Sequence, residues 1–132
     1  MIFTNKMGVI VYNTNTETHN EERNNYNIMR PSILSNPYTH LDVGKTRALY
    51  QCKTREESIE KYSDYFDTMY SGNVEFKKVV DELYEKYKRG ETIYLECCCK
   101  PLPCHGDIIA KKLQKMLIKE RLKEYRNGKN CQ

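Results

Sequence analysis

Apolar residues along the chain fall into short runs and stripes separated by long polar stretches. Gly8-Val9-Ile10-Val11-Tyr12 is apolar and β-branched, and it reads as a buried strand. Residues 13–25 are rich in Asn, Thr and Glu and read as an exposed loop. A second short strand is expected over Tyr26–Met29. The next segment, Arg30-Pro31-Ser32-Ile33-Leu34-Ser35-Asn36-Pro37-Tyr38, carries two prolines. Each fixes φ and removes a backbone donor, so a fixed, extended loop is expected there.

From Thr54 the period becomes helical. Thr54-Arg55-Glu56-Glu57 has the form of a capping box. Ile59, Tyr62, Phe66, Met69 and Tyr70 then recur on one face. Gly72-Asn73 interrupts the pattern, and a second helix is expected from Asn73 with Phe76, Val79, Val80, Leu83 and Tyr87 inward. Lys88, Arg89 and Gly90 close it, placing cations near the negative helix end and glycine at the stop. Thr92–Cys99 reads as a strand buried on both sides. Lys100–Pro103 is a tight connection. A last helix is expected from His105 or Gly106 to Tyr125, with Ile109, Leu113, Met116, Leu117 and Leu122 on its apolar side. Residues 126–132 read as a flexible tail.

These elements predict one α/β domain over residues 1–132, a small Rossmann-like, open and mostly parallel sheet flanked by helices. In such sheets ligands gather beyond the carboxyl ends of the strands. The segment Cys97–Asp107 would lie at such an end.

Composition narrows the picture. With 132 residues, 39% hydrophobic and 30% charged, the chain can bury one core without disulfides. No apolar run reaches the ~20 residues that span a bilayer. The start, Met-Ile-Phe-Thr-Asn-Lys, lacks the features of a secretory signal. A cytoplasmic location is expected, with no membrane partner. The abundance of Asn, Tyr, Lys and Ile fits an AT-rich genome such as a phage's, in which case the location is the host cytoplasm. A net charge of +4 admits an anionic partner. Much of the excess lies between Lys111 and Lys123, which reads as a solvated helix face.

Four of the six cysteines fall between Cys97 and Cys104. Neighbouring cysteines on a strand point to opposite faces and rarely bridge, so the cluster reads as metal-binding, catalytic or buried thiols in a reducing compartment. Cys52 reads as a small buried hydrophobe and Cys131 as a tail thiol. His19 and His40 read as surface residues.

On a strand, Cys97 and Cys99 share one face and Cys98 takes the other, where a core position is expected. Cys104 and His105 then arrive at a helix start. Its orphan N–H groups and positive dipole end favour a thiolate, a phosphate or a carboxylate. Cys104 is therefore expected to be a low-pKa thiol. In one reading Cys104 and His105 supply a nucleophile or proton transfer, while Gly106 and Asp107 present backbone donors to a small anion. Asp107 has the alternative role of stabilising the helix start. In a second reading Cys97, Cys99, Cys104 and His105 bind zinc, although the spacing is not that of a usual finger. In a third, the thiols pack the strand and His105 caps the helix.

The proline segment holds the other candidate groups. Arg30 offers a planar fork of donors to phosphate or carboxylate. Ser32 and Asn36 add neutral hydrogen-bonding groups, and Tyr38 can stack on a base. The alternative is a rigid loop in which Arg30 pairs with a surface acid.

In this order the two segments resemble a bacterial and phage family, domain of unknown function 4326. The resemblance rests on Arg30-Pro31-Ser32, Asn36-Pro37-Tyr38, Arg55-Glu56 and Cys97-Cys98-Cys99-Lys100-Pro101-Leu102-Pro103-Cys104-His105, and it spans roughly Tyr26 to Leu117. The family often has glycine where this chain has Met29 and Ser35, and tryptophan where it has Cys98. The strand-to-helix turn also resembles that of domain of unknown function 488, which implies a Rossmann-like fold. The expected function is to bind or process a nucleotide-like or other phosphate-bearing small molecule where the two segments meet. An enzyme of this kind would be a nucleotide- or nucleoside-processing hydrolase or transferase. The alternatives are a zinc-binding module, or a non-enzymatic viral protein that binds a host protein or nucleic acid.

Overall fold

The β-branched run after Gly8 forms strand β1 (Val9–Asn13), which includes the first residue of the expected loop. A computed structural model describes residues 8–17, 22–41 and 48–130. His19 and Cys131 lie outside the described residues. Strand β2 (Asn24–Asn27) begins two residues earlier than expected. Two short strands follow, β3 (Tyr38–Thr39) and β4 (Tyr50–Gln51), paired in parallel. Then come helices α1 (Arg55–Gly72) and α2 (Val74–Lys88), strand β5 (Ile93–Cys97) and helix α3 (His105–Asn130).

The helix boundaries follow from local hydrogen bonding. Thr54 Oγ1 accepts the Glu57 N–H at 3.0 Å, and the Glu57 carboxylate reaches back to the Lys53 N–H at 2.7 Å. Asn73 serves both neighbours: its own N–H caps α1 at Met69 O (2.8 Å), and its side chain accepts the Phe76 N–H (2.9 Å) to open α2. Gly90 ends α2 at φ +89°, a left-handed stop. The Glu91 N–H returns to Lys86 O at 3.1 Å.

β5 is the central strand of a parallel sheet ordered β1-β5-β2. The fold is therefore α/β, as the sequence pattern predicts. In register, Val9, Val11 and Asn13 stand beside Ile93, Leu95 and Cys97 on one face. The three helices pack against one another, and Phe76, Val80, Leu83, Ile109 and Leu113 join this face in a single core. The other face of β5 carries half-buried Tyr94 and Glu96. There the Tyr12 hydroxyl donates to Glu96 at 2.6 Å, and the Arg23 guanidinium lies 4.0 Å from the centre of the Tyr94 ring. The expected strand buried on both sides over Thr92–Cys99 is thus a shorter strand with one buried face.

Two further expectations change. The last helix runs past Tyr125 to Asn130. Leu122, placed on its apolar side, is 49% exposed because the helix extends beyond the core that ends its contacts near Leu117. No helix among the described residues is long and apolar enough to cross a membrane.

Gly106 sits in the first turn of α3, where that helix presses on the sheet. A Cβ at this position would lie 2.8 Å from Val11 Cγ1 and 2.9 Å from Ile28 Cδ1. Val11 is β-branched and stiff, so the contact cannot relax freely. Gly106→Ala is expected to destabilise the fold by about 1–3 kcal/mol, read as a shift in urea midpoint. An unchanged midpoint would show that the helix start is loosely seated.

Candidate functional site

The chain leaves β5 at Cys97 and must turn within seven residues to begin α3. Three contacts shape the turn. The Leu102 N–H bonds Cys99 O at 2.9 Å, the Thr14 N–H bonds Cys97 O at 3.0 Å, and Asn13 Nδ2 bonds Lys100 O at 2.8 Å. The Lys100–Pro101 peptide bond is cis, as is Arg30–Pro31.

Cys104 caps α3. Its carbonyl accepts the Asp107 N–H at 3.0 Å, and its sulfur accepts the Gly106 N–H at 3.2 Å. Asp107 answers with Oδ2 on the Cys104 N–H at 3.2 Å. This is a capping box with cysteine in the place usually taken by serine or threonine. Lys100 Nζ holds both oxygens of Asp107, at 2.7 and 2.9 Å. Asp107 and the Gly106 N–H are therefore committed to the helix start, and neither residue lines the cavity described below.

Cys97 and Cys104 are both buried where β5 ends and α3 begins. The two thiols titrate together: their interaction lowers Cys97 against the opposing effect of burial and raises Cys104, where burial adds to it. The low-pKa thiol expected at Cys104 is corrected: the neighbouring thiol and burial push it up. Cys98 is also corrected. It is exposed, not core, because the strand ends one residue before it. Cys99 is half-buried.

His105 is half-buried in the first turn of α3. Its Nε2 lies 2.9 Å from Ile28 O. Burial is the main influence and drives its pKa down to about 4. The ring is therefore neutral at pH 7. The Tyr62 ring packs edge-on at 4.8 Å between centroids, and its hydroxyl donates to Leu34 O at 2.7 Å.

The Arg30–Tyr38 loop is tied to α1. Asn36 Nδ2 donates to Ser58 Oγ at 2.9 Å and Ser58 O at 3.3 Å, while its Oδ1 accepts the Tyr38 N–H at 3.0 Å. Ser32 Oγ accepts the Leu34 N–H at 3.2 Å. Both residues thus shape the loop, and Ser32 lies outside the cavity lining. Arg30 Nη1 donates to Asn36 O at 2.6 Å, which fixes the guanidinium. Tyr38 packs against Tyr50, at 5.3 Å between ring centres.

The loop and the cysteine turn face each other across a cavity of about 320 Å³. Arg30, Asn36, Tyr38, Cys97, Cys99, Cys104 and His105 all line it, so the two segments singled out in the sequence do meet. Cys98 lines it as well. Residues not foreseen there are Arg55, Ser58, Ile59 and His40, which had been read as surface. The signal for Arg55 was its place in the Arg55-Glu56 pair. His40 lies two residues beyond Tyr38 and carried no signal of its own. Among the described residues no aspartate or glutamate lines the cavity. Among the described residues neither Arg30 nor Arg55 has a carboxylate within ion-pair distance. Nor is any group of three or more His, Cys, Asp or Glu side chains among them placed to hold a metal ion. Cys97, Cys99, Cys104 and His105 form no such group, and His105 turns its Nε2 to a carbonyl.

Two outcomes are expected. Asn36→Ala leaves the buried Ser58 hydroxyl and Tyr38 N–H short of a partner, and should cost about 1–3 kcal/mol in denaturant unfolding. His105 binds a proton less readily folded than unfolded, so folding stability should rise from pH 4 to 6.5 and level off above. One such group contributes a slope of at most ~1.4 kcal/mol per pH unit, which His105→Gln should remove. An imidazole that titrates near 6.5 by NMR would contradict this.

No match was found among curated proteins or among solved structures. A family model does match, over residues 11–115, which takes in the end of β1, the loop, α1, α2, β5 and the first part of α3. The span covers both walls of the cavity, and on that match the chain belongs to the family described as domain of unknown function DUF4326.

Proposed function

We propose that the cavity binds a small anionic molecule of the nucleotide-like or phosphate-bearing class. One observation carries the reading: among the described residues, Arg30 and Arg55 have no carboxylate partner and the cavity they line holds no acid. A guanidinium held by a backbone carbonyl keeps donors in a fixed fork for phosphate or carboxylate. The first turns of α1 and α3 both border the space, through Arg55 and Ser58 and through His105. Their positive dipole ends favour negative charge.

The rest of the wall suits the apolar part of such a ligand. Tyr38, Ile59 and Leu102 offer flat and aliphatic surface. At about 320 Å³ the cavity lies at the small end of ligand pockets, which favours a mononucleotide or something smaller over a dinucleotide. Its place beyond the end of β5 agrees with a Rossmann-like arrangement. The free cysteines agree with a reducing cytoplasm. Any processing step falls to the thiols, because His105 is neutral and its Nε2 is given to the Ile28 carbonyl.

A thermal-shift panel of 5′-nucleotides, the matching nucleosides and inorganic phosphate tests the reading. At least one 5′-nucleotide should raise the melting temperature, and its nucleoside should not. Arg30→Ala and Arg55→Ala should each weaken binding about tenfold or more, or ~1.4 kcal/mol, consistent with loss of a charge-assisted hydrogen bond. Stabilisation by no anionic member of the panel would sink it.

A further inference from the structure

We infer that the outward face of α3, where the helix runs past the core, docks on an anionic lipid surface with the helix lying at the level of the headgroups. Ile118, Leu122 and Tyr125 follow at i, i+4 and i+7, the spacing that puts side chains on one helix face. They are 53%, 49% and 67% exposed. Glu120 stands two residues from both Ile118 and Leu122, on the opposite side of the helix. It accepts the Tyr84 hydroxyl at 2.7 Å and Lys88 Nζ at 3.2 Å, which holds that side against α2 and turns the apolar stripe away from the body of the fold. Residues 121–128 are all exposed.

Charge frames the stripe. Lys115, Lys119 and Arg126 flank it on one side and Arg121 on the other, and all four are exposed. None of the four forms an ion pair with another described residue. Glu120 and Glu124 lie on the other half of the helix surface. The outward face is thus apolar along its centre and basic along both edges. Lysine and arginine stems can lie along apolar surface while their charged ends reach outward to phosphate. Tyr125 pairs an apolar ring with a polar hydroxyl, which suits the boundary between acyl chains and headgroups.

This combination selects the occupant. Nucleic acid would meet the cations with its phosphates but would set Ile118 and Leu122 against a charged backbone. A second copy could bury the stripe only by bringing two sets of cations together, which opposes association. An anionic bilayer offers apolar chains to the stripe and phosphates to its edges. No helix among the described residues is long and apolar enough to span a bilayer, and a helix that lies on the surface needs no such length. The expectation of no membrane partner is thereby replaced by contact from one side. Docking here is independent of anion binding in the cavity: Ile118 lies about 20 Å along the helix from His105, and the family match ends at residue 115.

The full chain is floated with vesicles of phosphatidylcholine alone and of phosphatidylcholine mixed with phosphatidylglycerol. Binding to the anionic vesicles should exceed binding to the neutral ones about tenfold or more, and should fall as salt is raised. Leu122→Gln combined with Tyr125→Gln keeps the charge and should weaken that binding about tenfold. Lys119→Gln combined with Arg126→Gln should weaken it about tenfold as well and flatten its salt dependence. All four side chains are exposed, so both double variants should unfold at the wild-type urea midpoint. In the wild-type chain, amide hydrogen exchange over residues 115–128 should slow on the anionic vesicles, a readout that needs no variant. Failure to bind anionic vesicles, binding that the Leu122 and Tyr125 substitutions leave unchanged, tighter binding to duplex DNA than to the vesicles, or a lipid-free dimer that buries the stripe would each overturn the inference.

Discussion

The first turn of α3 must satisfy its orphan N–H groups while lying flat on two strands, and the site takes its shape from how it does so. Close approach requires Gly106, because any Cβ there would press on Val11 and Ile28. Capping requires an acceptor one position before the helix, and that acceptor is the Cys104 sulfur with Asp107 completing the box. Once the cap is fixed, the Cys104 thiol is buried and lines the same cavity as Cys97 at the end of β5. The same turn carries His105 to the Ile28 carbonyl, just beyond β2. A capping requirement thus places one sulfur and one imidazole at the end of the sheet.

The opposite wall is held in a comparable way by α1. Ser58 receives the Asn36 amide and donates to Tyr38 O, while Tyr62 donates to Leu34 O. These bonds are buried, so each is expensive to break. Their effect is to hold Arg30 through Asn36 O and to bring Arg55, on the same helix, to the cavity. Preorganised donors of this kind favour a ligand that needs two fixed cations over one that needs an adaptable surface.

The fold was legible where burial follows a helical period. The stripe from Ile59 to Tyr70, the Thr54 cap and the Gly90 stop all predict what forms. It was less legible where neighbours decide. Asn24–Asn27 has poor strand composition and becomes a strand through its parallel pairing with β5. Cys98 leaves the core because β5 stops at Cys97, which no alternation of residues signals. Leu122 lies past the reach of the core, and only the packing of α3 reveals that. For the site, both segments reach the cavity, but the local ties of their polar groups do not show in the sequence. Ser32, Asn36, Gly106 and Asp107 have ligand-binding chemistry, but local hydrogen bonding absorbs it. Sequence shows a residue's chemistry; it does not show whether the backbone has already claimed it.

Adjacent cysteine and histidine invite a dyad in which imidazole takes the thiol proton. The environment here opposes it. A neutral ring that donates to Ile28 O has one lone pair left, and charging the ring must overcome its burial, which already drives the pKa to about 4. Imidazolium formation is therefore disfavoured at any pH where a thiol begins to ionise. The Cys104 sulfur accepts the Gly106 N–H and stands at the positive end of α3, so the backbone, and not the imidazole that follows, is what a charge on this sulfur would meet.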